Sequence, residues 1–219
     1  MRLGSLPDGS RGFDANQRIT PAQARDAVRK NYKFAIRYVR RAPVNDHDIT
    51  AGEMAGLLEA GLALMLVQHV ALPGWKATKD LGRMYGETAA LEAARVGYPR
   101  GAHVWCDLEE VKAGTPAQDV IDYCNAWHQA VGLAGFRPGL YVGYGTRLTA
   151  DQLYRRLRFS SYWSAYNLNR DQVPAVRGVQ MRQHAATLED LIVGLTNQTM
   201  DVNVIQADRL GGTPTLLLP

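Results

Sequence analysis

Residues 100–111, RGAHVWCDLEEV, run from an apolar stretch into three acids, two of which, Asp107 and Glu109, are spaced i and i+2. On a strand that spacing puts both side chains on one face, roughly 6.5 Å apart at their Cα atoms. Carboxyl groups that close oppose each other's ionisation, so one can keep its proton near neutral pH while the other stays an anion. An acid beside a carboxylate is the equipment for cleaving a glycosidic bond: one group protonates the leaving oxygen, and the other supports the positive charge that develops on the sugar. The same alternation turns Cys106 and Leu108 to the opposite face and leaves Glu110 at the start of a loop, in solvent. A purely structural alternative has Asp107 and Glu109 pairing with Arg37 or capping the loop that follows.

The elements that must position these carboxyls follow from the hydrophobic pattern. Apolar runs of strand length fall at 12–15, 33–39, 62–70, 102–109, 138–144, 161–166, 178–185 and 201–206. Amphipathic stretches of helical period lie between them at 20–31, 49–61, 82–97, 115–132 and 149–158, with a Thr50/Glu53 capping box opening the second. Strands alternating with helices indicate an α/β protein, and eight of them in 219 residues suit a single (β/α)8 TIM-like barrel, irregular in its last third, where helices are short or missing. A doubly wound open sheet is the alternative, but no GxGxxG or Walker sequence follows the first strand. The whole chain, 1–219, reads as one domain, with 207–219 an apolar, extended C-terminal tail.

In such a barrel, chemistry belongs at the C-terminal ends of the strands. Polar and aromatic residues recur there: Asp14, Gln68 or His69, Asp107 with Glu109, Tyr144, Tyr166 and Gln183, while Asp201 and Asn203 lie on the eighth strand.

Composition removes other classes. The formal net charge is +4 and the pI about 9.1, but the basic residues are scattered apart from RYVRR (37–41) and YRRLR (154–158), so no nucleic-acid footprint is expected. No apolar run reaches the length of a membrane span, and the N-terminus lacks the apolar core of an export signal. Cys106 and Cys124 form no CxxC or Cys/His cluster and read as two buried thiols. The five histidines, 47, 69, 103, 128 and 184, show no metal-ligand spacing, and no HxH stands at the first strand, so neither a metal nor a cofactor is implied. There is no GxSxG, and Cys106 should face away from the mouth.

Several short motifs carry a resemblance: GFDAN at the first strand, RYV at the second, YGETAALEAARVGYPRGAHVWCDLE over the third helix and fourth strand, then GLYVGYG, YWSAYN, RQH and MDVNV in order. Over residues 11–206 the chain resembles the glycoside-hydrolase-like barrel family of bacteria and phages, and more distantly the family 25 lysozymes. The resemblance implies Glu109 as the general acid. It implies Asp107 as the group that orients the N-acetyl substituent of the sugar or, as an assisting anion, meets the charge developing at the anomeric carbon. Asp14 and Asp201 would tune and position these two.

Gln183, Asn203, Arg37 and Gln68 complete the expected glycan contacts, with Tyr144, Trp163 and Tyr166 as flat surfaces for pyranose rings. Trp163 and Tyr166 fall on opposite faces of a regular strand, so one of the two should line the site. The chain departs from the lysozyme pattern in having Arg182, in place of an aromatic residue, before Gln183, and Trp105 on the inward face, where it would crowd the lumen.

The expected function is therefore hydrolysis of a cell-wall polysaccharide of the peptidoglycan type, muramidase-like and retaining. It would take place outside the cytoplasm, by an export route not visible in the sequence. Two other classes fit the same residues: a non-catalytic glycan-binding barrel, and a structural or delivery component of a phage or secretion apparatus. The apolar tail is the one hint of a protein partner for the latter.

Overall fold

A computed structural model describes residues 1–41 and 47–219. The chain order is β1 (Arg2–Gly4), β2 (Arg11–Ala15), α1 (Pro21–Arg29), β3 (Phe34–Val39), α2 (Ala51–Glu59), β4 (Ala63–Gln68), α3 (Lys79–Arg95), β5 (His103–Leu108), α4 (Ala117–Leu133), β6 (Arg137–Val142), α5 (Ala150–Arg155) and β7 (Tyr162–Ser164). A 3₁₀ turn (Arg170–Gln172), β8 (Met181–His184), β9 (Met200–Ile205) and β10 (Leu216–Leu218) follow. Four of the helices begin at threonines, Thr20, Thr50, Thr78 and Thr149, whose side chains each accept a hydrogen bond from a backbone N–H of the first turn. At Thr50 only half of the expected capping box forms, because the Glu53 carboxylate is drawn away to Arg37 and to the backbone N–H of Ile19.

Strands β2 to β9 close into an eight-stranded barrel in the order β4-β3-β2-β9-β8-β7-β6-β5, with β4 pairing β5 to complete the ring. Seven of them, β2 to β8, run parallel, while β9 is antiparallel to both β2 and β8. The reversal accounts for the missing helix between β8 and β9. A parallel crossover needs a long return, usually a helix, whereas a reversed strand is reached by a loop that stays at one end of the barrel. The segment from β8 to β9 contains no helix. Reversal also brings the start of β9, not its end, to the mouth, which is why Asp201 sits in register beside Asp14.

Inside the barrel, Phe34, Ile36, Met65, Trp105, Trp163, Met181, Ile205 and Leu216 form a core of their own, separate from the layer under the helices. Trp105 fits because its neighbour on β6 is glycine. A Cβ at Gly139 would lie 2.3 Å from the Trp105 ring, just as one at Gly12 would lie 2.4 Å from Phe34. Cys106 and Leu108 face the helices, and both cysteines are buried free thiols.

The C-terminal segment does not extend freely from the domain. Leu216 and Leu217 are wholly buried, β10 pairs with β4 at Leu64 and with β1, and it enters where β4 and β5 have not yet come together. His103 fastens it: its backbone N–H donates to the Thr215 carbonyl at 3.0 Å and its Nδ1 accepts from the Thr215 N–H at 2.8 Å. Burial lowers the His103 pKa to about 4, which keeps the ring neutral, and the Thr215 N–H fits the tautomer in which Nδ1 is the acceptor. The alternating apolar and turn residues at 207–219 conceal this strand, because three leucines are too short a run to carry a period.

Candidate active site

At the open end of the barrel a cavity of about 240 Å³ collects Asp14, Asp107, Glu109 and Asp201 from the ends of β2, β5 and β9. No lysine, arginine or histidine is among its described lining residues. Asp14 is held by neutral donors alone. Its Oδ2 accepts from Asn203 Nδ2 at 2.7 Å and from Gln183 Nε2 at 3.1 Å, and its Oδ1 faces the Tyr38 hydroxyl at 3.4 Å. Gln183 is oriented in turn by the Tyr141 hydroxyl, which donates to its Oε1 at 2.8 Å.

Burial without a counter-ion displaces every one of these acids in the same direction. Asp14 is raised by burial, against the pull of its three side-chain donors. Burial, and then the neighbouring Glu109, Asp14 and Glu110, hold Asp107 well above the usual carboxylate range, although it accepts a hydrogen bond from the backbone of Val70. Glu109 is pushed up to about 7 by burial, then by Glu110, Asp14 and Asp201. Asp201 also reaches about 7, through burial and the charge of Asp14. The raised pKa of Asp107 disfavours the anionic form expected of it, and its buried Oδ1 has no hydrogen-bond partner among the described residues.

The backbone that delivers Glu109 is clamped from two sides. Trp75 Nε1 donates to the Glu109 carbonyl at 2.9 Å, Glu110 N–H donates to Tyr144 O at 2.7 Å, and Gly74 N–H donates to Glu110 O at 2.9 Å. Glu110 is exposed and takes the left-handed conformation, φ +53°, that bends the chain out of the strand. Gly143 on the adjacent strand end leaves the room the acid needs, since a Cβ there would stand 2.5 Å from both Cβ and Oε2 of Glu109.

Of the other residues expected from sequence, Trp163, Tyr166 and Gln183 also line the cavity. Both Trp163 and Tyr166 do so because β7 ends at Ser164, which removes the alternation that would have separated them. The Trp163 ring packs on Tyr141 and Trp105 at 4.4 and 6.0 Å between centroids, and its buried Nε1–H has no partner among the described residues. Asn203 stands behind Asp14 and touches it rather than the cavity. Tyr144 is exposed and outside the lining; it contributes its carbonyl to Glu110.

Two expected contacts point the wrong way. Arg37 and Gln68 alternate with inward residues on β3 and β4 and so face the helices. Arg37, wholly buried, pairs with Glu53 at 2.6 Å and donates to Ala15 O and His47 O, which ties down the loop after β2 and excludes pairing with Asp107 or Glu109. Gln68 joins Trp127 Nε1 to the carbonyls of Arg40 and Tyr85. The sequence reading missed Tyr38 and Tyr141, which share the inward face with Ile36 and Gly139 respectively and could have been found by the same two-residue step that pairs Asp107 with Glu109. It also missed Asn16, Asn167 and Gln198, which lie on loops and carry no period. Among the described residues no group of three or more His, Cys, Asp or Glu side chains is arranged to hold a metal ion, and no helix is long and apolar enough to cross a membrane.

Residues 26–204 match the family model described as the Rv2525c-like, glycoside hydrolase-like domain. The chain belongs to this family. Its barrel is similar to that of the Mycobacterium tuberculosis Tat-secreted protein Rv2525c solved with L-tartrate, at 17% identity and TM-score 0.66, over 90% of this chain and 95% of that one. It is also similar to a bacterial lysozyme from Streptomyces coelicolor, at 13% identity and TM-score 0.60 over 94% and 95% of the two chains. A family 25 glycosyl hydrolase from Bacillus anthracis superposes at 11% identity and TM-score 0.56 over 93% and 91%. At these identities the likeness establishes the shared barrel of the family and the lysozymes. Comparison with curated protein sequences finds no match.

Proposed function

We propose that the protein hydrolyses a peptidoglycan-type glycan, with Glu109 as general acid and base. The observation that carries this reading is a barrel mouth lined by four carboxyl side chains, with no cation among its described lining residues and Glu109 pushed up to about 7. A carboxyl there keeps its proton close to neutral pH and gives it to the glycosidic oxygen; as the resulting carboxylate, the same group then takes a proton from water. Asp107, whose pKa is raised by burial and by Glu109, Asp14 and Glu110 and whose Oδ1 has no partner among the described residues, is suited to orient the N-acetyl substituent of the sugar. This is the first of the two roles that the resemblance implies for it. Asp14 and Asp201 raise Glu109 by their charge, and whichever carboxylate of the set is ionised faces the oxocarbenium-like transition state. Trp163 and Tyr166 supply apolar faces for sugar rings. Similarity to a Tat-secreted protein and to a lysozyme supports a place of action outside the cytoplasm.

The test is reducing-end release from purified peptidoglycan and from chitooligosaccharides, with polymer binding measured alongside. Release by the wild type that is lost in Glu109→Gln while binding persists is the expected result. Binding without release by either protein would replace hydrolysis with a glycan-binding role.

A further inference from the structure

Arg182 stands where the lysozyme pattern has an aromatic residue, and the catalytic cavity makes no use of it. Alternation along β8 turns Met181 and Gln183 inward, so Arg182 projects from the outer face of the barrel. A regular barrel covers that face with helices. Here the β7–β8 connection carries only a 3₁₀ turn and the β8–β9 connection no helix, and a cavity of about 510 Å³ remains, lined by Ala150, Val173, Pro174, Ala175, Arg182 and Arg209.

Two arginines are among the cavity's described lining residues, and no aspartate or glutamate is. Among the described residues neither side chain makes a hydrogen bond or an ion pair. The neighbouring Arg177 shows the contrast, with its Nη1 bound to the buried Asp208 at 2.6 Å. Two unpaired like charges along one concave, partly apolar wall focus a positive potential, and the planar guanidinium fork matches an oxyanion with two parallel hydrogen bonds.

We propose that this cavity is an anion site, separate from the carboxyl cluster, which takes a phosphate or carboxylate group through Arg182 and Arg209. The inference stands whether or not the barrel mouth is catalytic.

The experiment follows the arginine Nε–H signals of the full chain, ¹⁵N-labelled, by NMR during titration with inorganic phosphate and, separately, with citrate, at constant ionic strength made up with chloride. The expected result is saturable shifts of the Arg182 and Arg209 signals with the Arg155 signal unmoved. Binding should weaken roughly tenfold in Arg182→Gln and in Arg209→Gln and be lost in the double variant. Because Arg209 is exposed, Arg209→Gln folds even where Arg182→Gln does not. Tighter binding of phosphate assigns a phosphate-bearing ligand, and tighter binding of citrate a carboxylate-bearing one. Shifts that fail to saturate with both anions, or an unchanged midpoint in the double variant, overturn the proposal.

Discussion

The outer face of β3 and the inner mouth of the barrel both bury charge, and they treat it in opposite ways. Behind β3, Arg37 and Glu53 are buried together, and each guanidinium nitrogen donates to an acceptor, the Glu53 carboxylate or a backbone carbonyl. At the mouth, two buried and two half-buried carboxyls are gathered with no cation among the described lining residues. Buried atoms without a described partner occur in both places, Asp107 Oδ1 and Trp163 Nε1 here and Glu53 Oε2 behind β3, so the counter-ion is what separates them. Paired buried charge holds a loop in place, whereas unpaired buried charge is a cost that ligand binding can relieve. The contrast separates Arg37, which serves the fold, from Glu109, which serves the chemistry.

The largest effect should come from the mouth. Glu109→Gln should lower reducing-end release by roughly 10²–10⁴-fold, as loss of a general acid does, with unfolding in denaturant showing no loss of stability because a repelled carboxyl has been removed. Behind β3 the result should invert. Arg37→Met strands Glu53 and should destabilise the fold by about 3–5 kcal/mol in the same unfolding measurement, and a paired Arg37→Met/Glu53→Leu change should recover much of that loss. Equal losses from the single and double changes would break the comparison.

A smaller effect is expected at Gly143→Ala. Its Cβ would meet Glu109 at 2.5 Å, so kcat should fall on the order of tenfold as the acid is displaced, with glycan binding retained.

The smallest effect is a slope. A carboxyl whose pKa is higher folded than unfolded stabilises the fold fully below its unfolded value and loses that contribution as the pH rises through the folded one. For Glu109 the window runs from 4.5 to about 7. Unfolding free energy should decline across it in the wild type and more shallowly in Glu109→Gln. Activity that needs the protonated acid should fall through the same upper limit, as a pH profile of reducing-end release will record.

The sequence made the mouth legible where strands are regular and misled where they end or reverse. Asp107 and Glu109 could be placed together because β5 keeps a strict two-residue period, and Asp14 and Asp201 because each lies in a recognisable apolar run. Arg37 and Gln68 are polar residues near strand ends, and polarity suggested the cavity. The period of β3 and β4 argues for the helix side, where a buried partner could satisfy them. Which partner that was depended on contacts between elements, as did the fit of Trp105 against Gly139. The β10 strand was hidden for a related reason: its three leucines gain meaning only from the gap between β4 and β5 and from the acceptor on His103.

The most direct test of this account is the protonation of Glu109 itself. A ¹³C side-chain carboxyl titration by NMR, with the signal assigned by its disappearance in Glu109→Gln, should give an apparent midpoint near 7 that moves down in an Asp14→Asn/Asp201→Asn background. A midpoint at the ordinary value of 4.5, unmoved by those changes, would contradict the claim that buried, unpaired carboxyls prepare this site for acid catalysis.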